Sequence, residues 1–320
     1  KGEGDGPDKK YGWGLACKPG EPRVMVGVFG AFWSILTSRD GGIEWEDTGV
    51  DAGGPGCVYW HHQEPSVVYA ADRRSVDGGK TWTRMDRFAL NVSASNGDVL
   101  LGNKKAGSLA LSLSMDRGAT WTDLPPVPQE DGRAATAFLL ATRIPIAHGV
   151  AIDPDPARDP VKGTQGIRVL LAARSGVYEF SGRTGTAAAQ GKWDVIHRGF
   201  ERSIHFPNAY WLGHVVFDPR PGMHHVVYAC KSEDPVLTGA WRGNASTRHS
   251  QPERPLYRSL DGGRTWGHLH GPQHLGIPDH LDVLAVAVSP KDGSLHVDGF
   301  CGMYVLPGVP AHHDRPGVKY

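Results

Sequence analysis

Side chains that can transfer protons or bind charged ligands lie mainly in a few long segments between predicted strands, and at the starts of some strands. Such segments often carry function, because a rigid scaffold leaves their side chains exposed. The long segments cover residues 123–147, 200–213 and 231–255, followed by a shorter one at 267–282. The candidates for proton transfer are His148, Glu201, Tyr210, His214 and Asp279. The candidates for ligand contact are Trp60, Arg143, Arg202, His205, Trp241, Arg242 and His280.

These residue types suit a sugar ligand that carries acidic groups. Aromatic rings pack against apolar surfaces such as sugar faces, and Arg forms paired hydrogen bonds with carboxylates. Two carboxylates on either side of a glycosidic bond carry out hydrolysis, and Glu201 and Asp279 are the candidates for that pair. A His or Tyr base beside a cation that neutralises a uronate carries out β-elimination instead. His214, Tyr210 and Arg242 are candidates for that reaction, so both chemistries stay open.

The composition excludes several classes of partner and site. Lys plus Arg and Asp plus Glu are 34 each, so the formal net charge of zero argues against non-specific binding to nucleic acid. Every apolar run is shorter than the roughly 20 residues that a membrane helix needs. The four cysteines are widely spaced without a CxxC pair, which argues against a zinc site. We predict no metal site in the active centre and no required cofactor, and we leave open a structural calcium ion in the channel, although no run of acidic ligands supports one.

An internal repeat indicates the elements that position these side chains. Four eight-residue segments, which we call boxes 1 to 4, read SRDGGIEW at 38–45, SVDGGKTW at 75–82, SMDRGATW at 114–121 and SLDGGRTW at 259–266. The sequence before each box contains short runs of β-branched or apolar residues separated by turn residues, which predicts strands joined by tight turns. The repeat length is roughly 40–60 residues, which is typical of a four-stranded propeller blade. Aligned prolines place Trp60, His148 and His214 near the starts of inner strands, where they would ring the mouth of a central channel.

The boxes resemble the Asp box, or BNR repeat, which occurs in sialidases, xyloglucan-cleaving hydrolases, sortilin-type receptors and a photosystem assembly factor. The resemblance implies an all-β propeller with the boxes in the hairpins between third and fourth strands, on the side away from the ligand. The repeats predict six blades, with seven as the alternative, in a single domain at 11–320 that follows a flexible segment at 1–10.

The resemblance also implies a class of function. We expect a secreted or periplasmic monomer that acts as a glycoside hydrolase on an acidic poly- or oligosaccharide and binds neither nucleic acid nor membrane. A polysaccharide lyase and a non-catalytic propeller that binds glycan or protein are the alternatives. The tripeptide Arg143-Ile144-Pro145 matches a sialidase motif, but it follows box 3 instead of preceding box 1, which argues against sialidase activity.

Overall fold

The computed structural model describes most of the predicted strands and boxes. It describes residues 12–30, 32–54, 56–93, 97–104, 110–128, 149–153, 166–173, 176–183, 190–196, 212–231, 256–269, 283–299 and 302–308. All regular elements in these ranges are β-strands, and no helix among them is long and apolar enough to cross a membrane. The predicted flexible segment at 1–10 lies outside the described residues.

The chain is an all-β propeller of antiparallel blades, as the repeat predicted. Neighbouring strands in each sheet follow one another in the chain. Blade 1 consists of β1 Gly12–Lys18, β2 Glu21–Phe29, β3 Ser34–Ser38 and β4 Glu46–Asp51. Blade 2 consists of β5 Val58–Trp60, β6 Val68–Ala70, β7 Arg73–Ser75 and β8 Thr83–Arg84. Blade 3 consists of β9 Phe88–Val92, β10 Leu100–Asn103, β11 Leu111–Ser114 and β12 Thr122–Asp123.

The second half of the chain continues this order. Blade 4 consists of β13 Val150–Ile152, β14 Gly166–Ala173, β15 Gly176–Arg183 and β16 Gln190–Val195. Blade 5 consists of β17 Leu212–Phe217, β18 Val227–Lys231, β19 Leu256–Ser259 and β20 Gly267–His268. Blade 6 contains β21 Val283–Val288, β22 Leu295–Gly299 and β23 Gly302–Leu306. Blade 6 therefore has three described strands. The tail that we expect to supply its fourth strand, at 312–320, lies outside the described residues.

Blades 1 to 3 belong to one compact unit, whose core lies between neighbouring blades. Val26 and Ile35 of blade 1 share a cluster with Val68 of blade 2. Tyr69 of blade 2 shares another with Leu100 of blade 3. Side chains from both faces of the short strand β6 are thus buried, which explains its continuous apolar sequence. Each large aliphatic or aromatic side chain buried in this way contributes about 1.5–3 kcal/mol.

Blades 5 and 6 belong to a second compact unit, which is built on the same pattern. Tyr228 and Leu256 of blade 5 share a cluster with Val286 and Val297 of blade 6. Tyr69 of β6 and Tyr228 of β18 occupy the same position in the short sequence Val-Tyr-Ala of their blades, and both are buried. The repeat therefore specifies core packing as well as turns.

Each box forms the hairpin between the third and fourth strands of its blade. In box 2, the Ser75 hydroxyl donates to Asp77 Oδ1 at 2.8 Å and accepts the Gly79 N–H at 2.9 Å. Asp77 Oδ1 accepts the backbone N–H groups of Lys80 and Thr81 at 3.0 and 2.9 Å. The Ser-to-Asp bond of boxes 1, 3 and 4 is also 2.8 Å. The turn is therefore closed by its own residues, with Gly79 at φ +89°.

Box 3 departs from this pattern at one backbone position. Arg117 has φ +61°, at the position where the other boxes carry a glycine with positive φ. A left-handed conformation is costly for a residue with a side chain. The Arg117 guanidinium bonds both Glu64 oxygens at 2.7 Å and also bonds Asp98, which contacts His61 Nε2 at 3.0 Å. These charge-assisted bonds, which join box 3 to blade 2, offset the backbone strain.

Candidate functional site

Two of the predicted site residues lie in described strands. His214 is in β17, where its backbone pairs with Cys230 of β18. Trp60 is in β5 and is 4% exposed, and its indole N–H donates to the Ala16 carbonyl at 3.1 Å. Trp60 thus belongs to the core between blades 1 and 2, and this placement gives no support to a role in sugar contact.

The other predicted residues lie outside the described residues. The predicted catalytic residues of this group are His148, Glu201, Tyr210 and Asp279. The predicted ligand contacts of this group are Arg143, Arg202, His205, Trp241, Arg242 and His280. Their roles remain predictions.

The described residues include the side of the blades opposite to the boxes, where the sequence predicts that a ligand binds. We call it the loop face: in blades 1 to 3 it consists of the connections from second to third strand and from each blade to the next. The boxes lie at the opposite ends of the same strands. Phe32, in the β2–β3 connection, is a large exposed aromatic residue of this face.

A buried carboxyl group lies at the β6–β7 turn of the loop face. The side chain of Asp72 is 3% exposed, and its Oδ2 accepts a hydrogen bond from Arg84 Nε at 3.0 Å. Arg73 Nε lies 3.4 Å from Oδ1. Burial raises the pKa of Asp72, and this effect outweighs the two neighbouring guanidinium groups, which lower it. The carboxyl group thus keeps its proton to a higher pH than an ordinary aspartate does.

A second carboxylate lies next to it, at the end of β4. Asp51 is exposed, its Oδ1 accepts the Gly53 N–H at 2.6 Å, and its charge also raises the pKa of Asp72. Arg73 Nε donates to the Asp51 carbonyl at 2.7 Å, which fixes the β4–β5 connection. Gly53 has φ +74°, and a Cβ at this position would collide with the Asp72 carboxylate. Only glycine therefore allows the connection to pass over Asp72 so closely.

The two carboxyl groups have unlike environments, one buried between cations and one exposed. Such a difference separates the proton affinities of two acids, which is how many active sites assign one acid and one base. We call Asp51, Asp72, Arg73 and Arg84 the carboxylate pair site. Sequence reasoning missed it because DAGGPG and AADRR have the composition of ordinary turns. Their place in loop-face connections was the only indication in the sequence.

A further charged cluster lies on the same face, between blades 2 and 3. Asp123 contacts Arg87 at 3.2 Å, Lys104 at 2.9 Å and the Ser112 hydroxyl at 2.7 Å. The hydrogen bond from Lys104, together with those from Ser112 and Arg87, lowers the pKa of Asp123 to about 2. This carboxylate is therefore held ionised by Lys104 and Arg87, which pair with it. In the described part of the chain, no group of three or more His, Cys, Asp or Glu side chains is arranged to hold a metal ion.

Comparison with known proteins shows the fold. No protein-family model and no curated protein sequence matches the chain. Among solved structures, the chain is similar to the GH74 xyloglucanase of Xanthomonas campestris, with a TM-score of 0.57 and 14% identity over 92% of this chain and 45% of that one. The chain thus spans less than half the length of that enzyme.

Two other similar structures are of proteins that are not named as xyloglucanases. YCF48 bound to D1 peptide matches with a TM-score of 0.50 and 16% identity, over 95% of this chain and 79% of that one. The β-propeller domain of Cps50 (Swd1) from Myceliophteria thermophila matches with a TM-score of 0.50 and 12% identity, over 93% and 84%. At these identities the likeness shows the propeller fold and nothing about function.

Proposed function

We propose that this chain is a secreted or periplasmic propeller that hydrolyses glycosidic bonds in a poly- or oligosaccharide bound at the loop face. The observation that carries the proposal is the carboxylate pair site. A glycoside hydrolase needs one carboxyl group that is protonated at working pH and a second that is ionised. Burial raises the pKa of Asp72, which makes it the candidate for the first group, and the exposed Asp51 is the candidate for the second.

Two residues of the site, Asp72 and Asp51, carry out the proposed reaction. Asp72 donates its proton to the leaving glycosidic oxygen as the bond from that oxygen to the anomeric carbon breaks. Asp51 either takes a proton from the water that adds to the anomeric carbon, or attacks that carbon itself to form a glycosyl ester, which a water deprotonated by Asp72 then hydrolyses. The Arg84 side chain is 73% exposed and bonds Asp72 Oδ2, so the sugar must displace it to reach the carboxyl group.

The similarity to a xyloglucanase supports a glycan as the ligand class, although the shared fold alone does not establish it. Acidic sugars remain the preferred substrates because the predicted contacts in the long segments include several arginines and histidines. Glu201 and Asp279 are the alternative carboxylate pair for the same reaction, and His214, His148 and Tyr210 remain the candidates for the lyase reaction.

The test uses a panel of neutral and acidic polysaccharides, including xyloglucan and polyuronates. New reducing ends without absorbance from unsaturated uronate indicate hydrolysis, whereas that absorbance indicates a lyase. For an active member of the panel, Asp72→Asn should lower kcat by about 10²- to 10⁴-fold, the usual contribution of a general acid. Asp86→Asn is the matched control, because Asp86 is an exposed carboxylate of the next loop-face connection.

Two measurements separate catalysis from folding. An aryl glycoside with a good leaving group needs no proton donor, so Asp72→Asn should cleave it at nearly the wild-type rate. Arg84→Gln removes a cation that lowers the pKa of Asp72, so the alkaline limb of the pH–rate profile should move to higher pH. Wild-type polysaccharide turnover in Asp72→Asn would refute the assignment of the acid.

A binding propeller without catalysis is the second candidate function. One observation favours it: the chain matches 79% of YCF48, a protein whose structure is named for its bound peptide, but only 45% of the xyloglucanase. The same panel distinguishes the two functions. A protein that retains a polysaccharide or a peptide on a column but produces neither reducing ends nor unsaturated products has the binding function.

A further inference from the structure

A groove that the proposed hydrolase does not use opens on the side opposite to the loop face, between boxes 1 and 2. It has a volume of about 350 Å³, within the range of roughly 300–1,000 Å³ that is usual for ligand pockets. Val24 and Met25 of β2 contribute its apolar surface, and the two boxes form its walls. A Cβ on Gly79 would lie 3.4 Å from Val26 Cγ2, so box 2 packs directly against blade 1. We call this cavity the box groove.

The charges in the box groove do not cancel locally. Lys18 Nζ is bonded to Glu21 Oε1 at 2.6 Å, so this pair is neutral. Asp77 is engaged by the hydrogen bonds of its own turn, which lower its pKa to about 2, with the bond from the Thr81 hydroxyl as the largest cause. Arg39 on one wall and Lys80 on the other remain, and neither head group has an ion-pair partner among the described residues. Because the ionised Asp77 offsets one of these two cations, the residues that line the groove carry a net charge of +1.

The two boxes that form the walls of the groove also carry exposed aliphatic side chains. Ile43 of box 1 is 79% exposed, and Val76 of box 2 is 58% exposed. The box tryptophans Trp45 and Trp82 are not among the residues that line the groove, so their rings offer no stacking surface for sugars inside it.

We propose that the box groove binds an extended acidic peptide segment of a partner protein. Carboxylates of the segment lie between Arg39 and Lys80, and an aliphatic side chain of the segment packs on Val24 and Met25. Charge complementarity selects an acidic segment, and aliphatic walls without a free aromatic face favour a peptide over a sugar. This inference is independent of the loop face, so it stands whether or not the chain is a hydrolase.

The experiment measures binding of labelled hexapeptides by fluorescence anisotropy at low and moderate salt. The probe is acetyl-(Glu-Val)₃-amide, and the controls are (Lys-Val)₃, (Glu-Ser)₃ and an oligogalacturonate of matched charge. The double variant R39E/K80E should weaken binding of (Glu-Val)₃ by about 10-fold or more, because two attractive charges become repulsive. Added salt should weaken wild-type binding, since the head groups are exposed to solvent.

Two further variants control for position and folding. Arg264 holds the same place in box 4 that Lys80 holds in box 2, so Arg264→Glu should leave binding within about twofold of wild type. Ser66 lines the groove and is exposed, so Ser66→Trp should block the groove without changing its charge. Circular dichroism of each variant verifies its fold.

The outcomes decide between the alternatives. Binding of (Glu-Val)₃ that is lost in both R39E/K80E and Ser66→Trp supports the proposal. Three results overturn it: no binding up to about 1 mM, the weak end of specific recognition; equal binding by (Lys-Val)₃; or binding of the oligogalacturonate alone, which would make the groove a sugar site.

Discussion

Removing one hydroxyl group from a box tests whether these turns are held by their own hydrogen bonds. Ser75 is buried, and its hydroxyl accepts the Gly79 N–H at 2.9 Å and the Asp77 N–H at 3.3 Å while donating to the Asp77 carboxylate. Ser75→Ala deletes this hydroxyl and changes the shape of the side chain very little. The Gly79 N–H, which is also buried, then has no acceptor.

The expected cost follows from that buried N–H group. An unsatisfied buried donor costs about 1–3 kcal/mol. The partly exposed Asp77 carboxylate replaces the lost hydroxyl bond with water, which adds little to the cost. We therefore expect Ser75→Ala to lower the free energy of opening of this turn by about 2 kcal/mol.

Amide hydrogen exchange measures this quantity at the turn itself. A loss of about 2 kcal/mol accelerates exchange of the Gly79 amide by about 30-fold. Ser66→Ala is the matched control, because Ser66 is exposed and its hydroxyl has no hydrogen-bond partner in the part of the chain that the structure describes. Exchange of the Gly79 amide in Ser75→Ala within twofold of wild type would refute a turn held by the Ser75 hydroxyl.

Three further predictions test the described structure. The folded pKa of Asp77 is about 2 against an ordinary value of 3.8, so its stabilising effect is present above about pH 4 and lost as the pH falls to 2; Asp77→Asn should flatten thermal stability over that interval. Gly56→Ala places a Cβ against Ala71 and should lower stability by about 1–3 kcal/mol in urea unfolding, whereas Gly267→Ala, which has open space, serves as control. Tyr59→Phe removes a hydrogen bond to the Leu90 carbonyl at 2.5 Å and should lower the midpoint of thermal unfolding by an amount equivalent to about 1 kcal/mol.

The fold was predictable because its determinants are local and repeated. Each box contains within eight residues the serine, aspartate and glycine that close its turn, so four copies at blade spacing indicate the architecture. Short apolar strands such as VYA are equally local, and their burial follows from stacking of neighbouring blades.

The carboxylate pair site was not predictable in the same way. Asp51 and Asp72 belong to different blades, and neither lies in a motif. The pKa of Asp72 is raised because burial outweighs the lowering effect of two arginines, and the packing that buries it under a glycine-rich connection is not visible in the order of residues. Trp60 illustrates the same limit, because its place near a strand start did not reveal that its ring lies in the core.

The sequential order of strands within each sheet has a consequence for synthesis. Because every blade is one uninterrupted stretch of chain, the ribosome releases a whole sheet before the next one begins. The turns closed by box residues have only short-range contacts, so these hairpins can form as soon as they leave the exit tunnel. The apolar residues that pack against the following blade become buried only once that blade has been translated, so each nascent sheet exposes them until its neighbour forms.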